Sequence, residues 1–213
     1  MNMELIQLEA AVWKDLEEGG IQVKHPFHNF VLGYNHINDT NLGDESKNIP
    51  GLERIHLRTI VLRKASSLKK QILFFTDIRS KKWNEIESSP KISTLFYDPI
   101  KKLQISMQGV GILNYKNQLW EDEWNKLKVK SRKTYMTELP PGSFSTQKST
   151  GLKPELQKAD LELEETQPYQ MNFGIILIQV VSLEIVQLAE SGNYRANFDY
   201  KKHKLLSTNW LIP

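Results

Sequence analysis

Basic and hydroxyl side chains gather between Leu57 and Lys82 in a pattern that suits an anionic ligand. The first of two predicted strands carries Arg58 on one face and Arg63 on the other, because side chains alternate along a strand. The second strand leads into a turn where Ser80 precedes a short predicted helix. A serine hydroxyl and the N–H groups of a helix N-terminus, beside lysines, are the donors that a phosphate needs. The stretch therefore predicts a phosphate site.

A second interpretation is that Arg58 and Arg63 reach solvent from an edge strand and that the lysines coat an exposed turn. Basic turns are common, and isolated surface charges carry little information about function. An arginine buried without an anionic partner would be strongly unfavourable. The two interpretations therefore differ in what meets the guanidinium groups.

The order of these motifs resembles the pyridoxamine 5′-phosphate oxidase family of FMN-binding split barrels. The matching segments are Arg-Thr-Ile-Val-Leu-Arg at 58–63, Phe-Thr at 75–76, Arg-Ser-Lys-Lys at 79–82 and Leu-Gln-Ile-Ser-Met-Gln-Gly at 103–109. The resemblance runs from about Trp13 to the last residue, Pro213. It implies a mainly β, α+β fold: an antiparallel FMN-binding split β-barrel with flanking helices. A single domain of residues 1–213 is expected, with an N-terminal helix and C-terminal strands that complete the barrel.

The resemblance also implies that FMN is the cofactor. Its phosphate needs charge-assisted donors, its ring needs an apolar slot, and its pyrimidine edge needs amides that donate and accept. The residues expected at the cofactor are Arg58, Thr59, Ile60, Val61, Arg63, Phe75, Thr76, Ser80, Lys81, Lys82, Gln104 and Gln147. The segment that contains Gln147 resembles a family element that reaches the flavin from the neighbouring subunit.

The chain departs from the family on the substrate side. The resemblance implies substrate contacts from Arg63, Arg132 and Arg195. The oxidases, however, have two arginines around a histidine near the C-terminus, whereas here Asn193 and Asn197 flank Arg195. Val186 stands where they have a tryptophan that contacts the flavin, and Lys128 where they have a substrate tyrosine. The expected substrate is therefore a different small molecule, with anionic compounds among the candidates.

Two functions agree with these features. One is an FMN-dependent oxidoreductase, which the retained phosphate motif favours. The other is a non-catalytic flavin- or ligand-binding module, a sensor or a store, which the altered substrate side favours. The chain has no Gly-x-Ser-x-Gly segment, no cysteine and five scattered histidines, so no nucleophilic triad is expected and the flavin would carry out the redox chemistry.

The composition is that of an ordinary soluble protein, since 39% of the 213 residues are hydrophobic and 25% are charged. No apolar run approaches the roughly 18 residues of a membrane span, and the first residues do not resemble a secretory signal. We therefore expect no membrane partner. The absence of cysteine excludes disulfides and thiolate metal sites, and it suits a reducing cytoplasm, which is the expected location.

Nucleic acid and metal ions are further partners that the sequence argues against. The net charge of +3 is too small to indicate nucleic-acid binding. The basic run from Lys126 to Lys133 lacks interleaved aromatic residues, so a solvated face is the simpler interpretation. His25 and His28 have no third ligand at a recognisable spacing, which favours structural histidines over a metal site.

Hydrophobic periodicity predicts the other elements. An amphipathic first helix is expected to end at Gly19-Gly20. The apolar residues of this helix are Leu5, Leu8, Val12 and Leu16. Residues Asn38 to Pro50 are a predicted loop, and residues Leu119 to Lys130 are a predicted helix. The segment from Pro140 to Gln170 is the least ordered-looking part of the chain.

The apolar run from Ile175 to Val181 lacks polar alternation, which predicts a strand with both faces buried. A small barrel has one interior, so the second face needs another covering. The resembling family uses a second subunit across a two-fold axis, which makes the contact self-complementary. We therefore expect a homodimer with the flavin at its interface, and a Gln147 donated across it would agree with that arrangement.

Overall fold

The computed structural model describes residues 2–35, 55–157 and 160–213 of the chain. The predicted loop from Asn38 to Pro50 lies outside these residues. The chain divides into two compact units. The larger unit comprises Met1–Phe74, Glu85–Ile112 and Leu177–Pro213, and the smaller unit comprises Phe75–Asn84 and Leu113–Ile176.

Most of the described strands pair in an antiparallel manner. The strands are β1 (Asn29–Asn35), β2 (Ile55–Val61), β3 (Lys64–Ser66), β4 (Gln71–Asp77), β5 (Lys91–Asp98), β6 (Leu103–Asn114), β7 (Phe173–Gln187), β8 (Tyr194–Lys201) and β9 (Lys204–Leu211). They form one sheet in the order β2-β1-β5-β6-β7-β4-β3, and β8 pairs with both β7 and β9. The registers of β1 with β2 and β5, of β5 with β6 and of β8 with β9 are antiparallel.

The first helix, α1 (Met3–Ile21), belongs to the larger unit and begins at a capping bond from the Glu4 N–H to Asn2 Oδ1. Leu5, Val12 and Leu16 are buried as the periodicity predicts, whereas Leu8 is half-buried. The prediction that Gly19-Gly20 ends the helix is wrong, because α1 continues to Ile21. A Cβ on Gly19 would lie 3.0 Å from the backbone of Phe27, so this glycine permits close packing of the following turn.

Alternating side chains build the core of the larger unit. Along β5 every second residue is buried, and Phe96 on that strand stacks on Phe30 of β1 with ring centroids 4.9 Å apart. The Phe27 ring packs edge-on against the Phe96 ring, with the ring centroids 5.8 Å apart. A Cβ on Gly109 of β6 would come within 2.6 Å of the Gln179 carbonyl oxygen, so the close approach of β6 to β7 requires glycine there.

The strand predicted at Leu57 to Arg63 is β2, and it lies two residues nearer the N-terminus. Leu62 is fully buried, and its N–H donates to His28 O over 2.8 Å. The N–H of Arg63 then donates to Leu73 O over 2.9 Å. The chain therefore leaves its pairing with β1 after Val61 and turns toward β4.

The predicted apolar strand is part of β7, which is 15 residues long. Its first four residues are all buried, as the lack of alternation predicts. Val181, at the end of the predicted run, is 42% exposed in the single chain, so burial of its face depends on the second subunit expected above and stays a prediction. An apolar residue thus remains on the outer face of the sheet in the larger unit.

The smaller unit contains the start of α2 (Lys81–Ser88), as well as α3 (Gln118–Lys126) and α4 (Val129–Arg132). One continuous helix from Leu119 to Lys130 is therefore not formed, because α3 ends at the extended residue Leu127. Phe173 is the centre of the aromatic core of the smaller unit. The ring centroids of Phe75, Trp124 and Tyr135 lie 5.0–5.4 Å from the centroid of its ring.

Between Pro140 and Gln170 the described residues form turns and short 3₁₀ helices. No described helix has the length and apolar character needed to cross a membrane.

A buried polar cluster joins α1 to the rest of the larger unit. Lys70 Nζ lies 2.6 Å from Glu9 Oε1, and the Tyr200 hydroxyl donates to the same oxygen over 2.8 Å. Trp13 Nε1 in turn donates to the Tyr200 oxygen over 3.0 Å. The Lys70 ammonium also lies 5.1 Å from the centroid of the Trp13 ring. The Glu9 carboxylate therefore has both a counter-charge and a hydrogen-bond donor.

This cluster predicts a loss of stability at high pH. Burial, reinforced by the Glu9 carboxylate, raises the pKa of Tyr200 above its ordinary value, although the hydrogen bond from Trp13 opposes the shift. Below about pH 10 the tyrosine is protonated in both states, so its contribution is complete. Above that pH only the unfolded state loses the proton, and the free energy of unfolding should fall by about 1.4 kcal/mol per pH unit from this group. Urea titrations from pH 9 to 11 should show a shallower decline for Tyr200→Phe; equal slopes would contradict the assignment.

Candidate cofactor site

The turn between β4 and α2 brings together the predicted phosphate donors of the smaller unit. Lys82 Nζ donates to Thr76 Oγ1 over 3.1 Å, and Thr76 Oγ1 lies 3.3 Å from Ser80 Oγ. Both hydroxyl residues are buried. Helix α2 begins at Lys81, directly after Ser80, so N–H groups of a first helical turn adjoin these hydroxyls. Two hydroxyls, an ammonium and a helix N-terminus are a donor set that fits a phosphate.

The Ser80 hydroxyl also closes the turn. It donates to Asp77 O over 2.6 Å, and the Ser80 N–H donates to the same oxygen over 3.1 Å. An anion at this turn would compete with Asp77 O for the hydroxyl proton. The ammonium of Lys82 is the stronger donor of the set, because it is charged.

Arg79 holds the turn, a role that the motif at 79–82 does not reveal. Its Nε and Nη2 atoms donate to the two carboxylate oxygens of Asp77 over 3.0 and 2.7 Å. Its Nη1 and Nη2 atoms donate to the O and Oγ1 atoms of Thr137 over 2.9 and 3.0 Å. Arg79 therefore ties the start of α2 to the segment after Tyr135. The sequence feature that indicates this role is Asp77, two positions before Arg79. The Asp77 side chain also accepts a hydrogen bond from the Arg79 N–H.

Four predicted residues of the larger unit, Arg58 to Val61, lie on β2, which has β1 as its pairing partner in the sheet order. Arg58 is opposite Leu32 and Thr59 is opposite Val31, so these two side chains are on opposite faces. Both are exposed, whereas Ile60 and Val61 are half-buried. Ile60 is therefore on the same face of β2 as Arg58, and Val61 is on the face of Thr59.

Three residues absent from the predicted set lie beside β2 or on it. Tyr34 of β1 is the cross-strand partner of His56 of β2, and their ring centroids lie 5.5 Å apart. His56 Nε2 is 3.5 Å from Glu85 Oε1 of α2. Alternation could have found two of them: Tyr34 follows Phe30 by four positions, and His56 precedes Arg58 by two. The position of Glu85 beside them depends on the tertiary structure.

The remaining predicted cofactor residues have varied surroundings. Gln104 of β6 is half-buried and opposite Tyr97, on the face of β6 that alternates with the core residues. Arg63 is half-buried between β2 and β3, and Lys81 is exposed at the start of α2. Phe75 packs edge-on against Phe173, so part of its ring belongs to the core of the smaller unit.

Arg132 lies inside the smaller unit and is 1% exposed. Its Nη1 donates to Thr166 Oγ1 and its Nη2 to Trp124 O, each over 3.0 Å. The guanidinium carbon also lies 4.5 Å from the centroid of the Trp124 ring. Burial lowers the pKa of Arg132, with Glu164 opposing that shift. These contacts give Arg132 a structural role, and we leave it out of the proposed substrate site.

Arg195, predicted at the substrate, and Gln147, predicted at the flavin, lie nearer the surface than Arg132. Arg195 of β8 forms an ion pair with Glu184 of β7, with Nη2 and Oε2 2.7 Å apart. Gln147 is exposed, as is every residue from 141 to 150. The Glu138 N–H donates to Gly151 O over 2.9 Å and closes the base of this segment, so the smaller unit presents Gln147 to solvent on a closed loop.

Asp15, Glu18 and His25 of the larger unit have side-chain atoms within 4.8 Å of one another, a spacing that could hold a metal ion. Two contacts within the protein argue against a metal ion at these residues. Asp15 Oδ2 lies 2.5 Å from Lys101 Nζ, so a cation of the protein already meets it. His25 Nδ1 accepts the Phe27 N–H over 3.1 Å, so the proton of a neutral ring lies on Nε2, which is then a donor. His28 Nδ1 meets Gly19 O at 2.8 Å, which agrees with a structural role.

Two solved structures have this arrangement of strands and helices. A pyridoxamine 5′-phosphate oxidase-related, FMN-binding protein from Nostoc punctiforme is 18% identical, with 96% of each chain covered and a TM-score of 0.68. PhzG from Burkholderia lata, solved with tetrahydrophenazine-1-carboxylic acid, is 14% identical, with 98% of this chain and 92% of that chain covered and a TM-score of 0.61. At these identities the likeness shows the fold.

The sequence itself matches one family over a third of its length. Residues 44–114 match the family described as pyridoxamine 5′-phosphate oxidase, FMN-binding domain, whose cofactor is FMN. No curated protein matches the sequence. The resemblance seen in the motifs is thus confirmed: residues 44–114 match the FMN-binding domain of the pyridoxamine 5′-phosphate oxidase family, and the chain has the antiparallel split-barrel fold with flanking helices.

Proposed function

We propose that this protein is an FMN-dependent oxidoreductase that acts on a small molecule. The observation that carries the proposal is the donor cluster of Thr76, Ser80 and Lys82 at the start of α2, within the residues that match the FMN-binding family. A phosphate with up to two negative charges needs such charge-assisted donors, and a free isoalloxazine ring does not. The cluster therefore favours FMN over riboflavin as the bound form.

Each part of FMN has residues assigned to it in this proposal. Arg58, Ser80, Lys81 and Lys82 bind the phosphate, Ile60, Val61 and Phe75 contact the ring, and Gln104 and Gln147 meet the pyrimidine edge. Thr59, Arg63 and Thr76 complete the set. When bound, FMN supplies the redox chemistry, while these residues orient it and exclude water from its apolar face. Except for Gln147, all of them lie within the matched residues 44–114.

The visible spectrum of the purified protein tests this function. We expect bands of bound flavin, either on purification or after FMN is added and excess ligand is removed. Riboflavin should bind more weakly, because it lacks the phosphate. A colourless protein that gains no flavin bands would overturn the proposal.

A second candidate is a flavin-binding module without turnover. This candidate is favoured by two arginines that the resemblance predicts to contact the substrate. Arg132 is buried in the smaller unit, and Arg195 forms an ion pair with Glu184. Anaerobic mixing of the flavin-loaded protein with NADH, NADPH or pyridoxamine 5′-phosphate separates the candidates. Rapid bleaching of the flavin, followed by recovery with oxygen, supports the oxidoreductase. No bleaching with any donor supports the module.

We also propose that the protein is a homodimer. The outer face of the sheet in the larger unit exposes five large apolar side chains, each between 38% and 63% accessible. These residues are Leu57, Leu95, Val110, Ile112 and Val181. A groove of about 620 Å³ on the same face is lined partly by Leu57, Val110 and Val181. A contiguous apolar face of this kind suits a self-complementary contact with a second copy.

Sedimentation at micromolar concentration should therefore give about twice the chain mass of 24.7 kDa. Val110→Glu places a charge in the centre of that face and should shift the protein toward the monomer. Ile100→Glu is a matched control, because Ile100 is 87% exposed in the turn after β5 and lies outside the set. A monomeric wild-type protein that binds FMN tightly would refute the dimer and the role of Gln147, while FMN would remain the cofactor.

A further inference from the structure

We propose that a groove beside α1 binds a small organic cation that carries an apolar ring. The groove has a volume of about 520 Å³, which suits a small molecule, and all the residues that line it belong to the larger unit. None of these described residues is in the set predicted for FMN or for the substrate. The proposal therefore goes beyond the proposed function and does not depend on flavin chemistry.

The floor of the groove is a row of side chains across three neighbouring strands. Ile185 of β7 is opposite Ala196 of β8, which in turn is opposite Trp210 of β9, so the three side chains share one face of the sheet. Ile185 and Ala196 are almost fully buried. Leu8 of α1 also lines the groove, which accounts for its being half-buried. Such a floor favours the burial of an apolar ring.

Two aromatic side chains in the groove are partly exposed, Tyr194 at 55% and Trp210 at 40%. Tyr194 lies two residues before Ala196 on β8, so it is on the same face as the floor. The faces of tryptophan and tyrosine rings attract cations, and the attraction strengthens where water is excluded. Partly exposed aromatic rings beside a buried apolar floor therefore suit a ligand that is both apolar and cationic.

The charge in the groove also favours a cation. Among the described residues that line it, Glu4 is the one with a charged side chain, and its carboxylate can accept charge-assisted hydrogen bonds from an ammonium group. Gln7 and Gln187 add neutral amides, and Gln187 Nε2 donates to Lys101 O. The N-terminus of α1 favours an anion, but it carries only about half a positive charge, and its Glu4 N–H is already bonded to Asn2 Oδ1. The full negative charge of Glu4 therefore decides the preference.

Three indole compounds of similar size test this preference. Tryptamine is a cation at neutral pH, tryptophol is uncharged and indoleacetate is an anion. In calorimetric titrations of the full chain as purified, we expect tryptamine to bind about ten- to hundredfold more tightly than tryptophol, the effect of one charge-assisted hydrogen bond. Indoleacetate should bind most weakly, because Glu4 repels it.

Variants of the groove locate the binding. Glu4→Gln keeps the size of the side chain but removes its charge, so it should weaken tryptamine binding by about tenfold and leave tryptophol binding unchanged. Trp210→Ala should weaken the binding of both compounds, because it removes a ring that contacts their apolar part. Glu87→Gln is the matched control: Glu87 is an exposed glutamate of the larger unit outside the groove, and its replacement should change neither affinity.

The results that would overturn the proposal are distinct. Tightest binding of indoleacetate, or equal binding of the three compounds, would refute the ligand class. Failure of all three to bind at millimolar concentration would refute the site. A preference for tryptamine that survives Glu4→Gln, or that falls equally in Glu87→Gln, would show that Glu4 does not set it. Because no flavin band is measured, a failure of FMN binding would refute the proposed function and leave this inference standing.

Discussion

Alanine at Arg58 or at Lys82 should weaken FMN binding by about ten- to hundredfold in each case, while riboflavin binding changes little. Each replacement removes a charge-assisted hydrogen bond to the phosphate, and such bonds contribute roughly 1.5–3 kcal/mol. Arg58→Lys should also weaken binding, because lysine keeps the charge but lacks the planar fork. Fluorescence quenching titrations of both flavins measure these effects.

The double variant tests whether the two cations meet the same phosphate. Two residues that share one group should show a coupling energy, whereas distant independent residues add. Lys130→Ala is a control for the loss of a lysine, since Lys130 is exposed in α4 and away from the donor cluster. Unchanged FMN affinity in both single alanine variants would show that the phosphate residues are assigned wrongly.

Lys70→Met should lower the free energy of unfolding by about 3–5 kcal/mol, the range measured when one partner of a buried ion pair is removed. The change leaves the buried Glu9 carboxylate without its ammonium, while the methionine fills a similar volume. Tyr200 still donates to Glu9, but a neutral hydroxyl does not replace the lost charge. Urea unfolding at pH 7 gives the magnitude.

A control variant and a double variant test whether the loss of stability comes from the unpaired Glu9 carboxylate. Lys69→Met alters the neighbouring exposed lysine and should change stability by less than about 0.5 kcal/mol. Adding Glu9→Gln to Lys70→Met should recover part of the loss, because the amide removes the unpaired charge and still accepts from Tyr200. If Lys70→Met costs no more than Lys69→Met, the cluster does not stabilise the fold as described.

Local patterns in the sequence were enough for the elements that carry the phosphate motif. The short helix predicted after Ser80 is α2, because a serine before it and Pro90 after it mark both ends. Ser80 and Lys82, two of the predicted phosphate donors, both lie close to Thr76, since a tight turn brings residues four to six positions apart together.

Ends and breaks of elements were harder to predict, because they depend on packing. Two adjacent glycines normally end a helix, yet α1 continues through Gly19 so that Phe27 can approach it closely. The strand around Arg58 ends near Val61 because the N–H of Arg63 donates to Leu73 O of β4, ten positions further along the chain. Neither contact has a signature within the segment itself.

Partners of charged residues were decided by the tertiary structure alone. Motif matching assigned Arg132 to a substrate, but the fold brings Thr166 and Trp124 around its guanidinium. The same is true of Glu85 of α2, which meets His56 of β2 although no motif connects the two. Sequence spacing reports which side chains share a turn or a strand face, whereas burial and charge pairing depend on residues that are distant along the chain and meet only when the sheet and helices assemble.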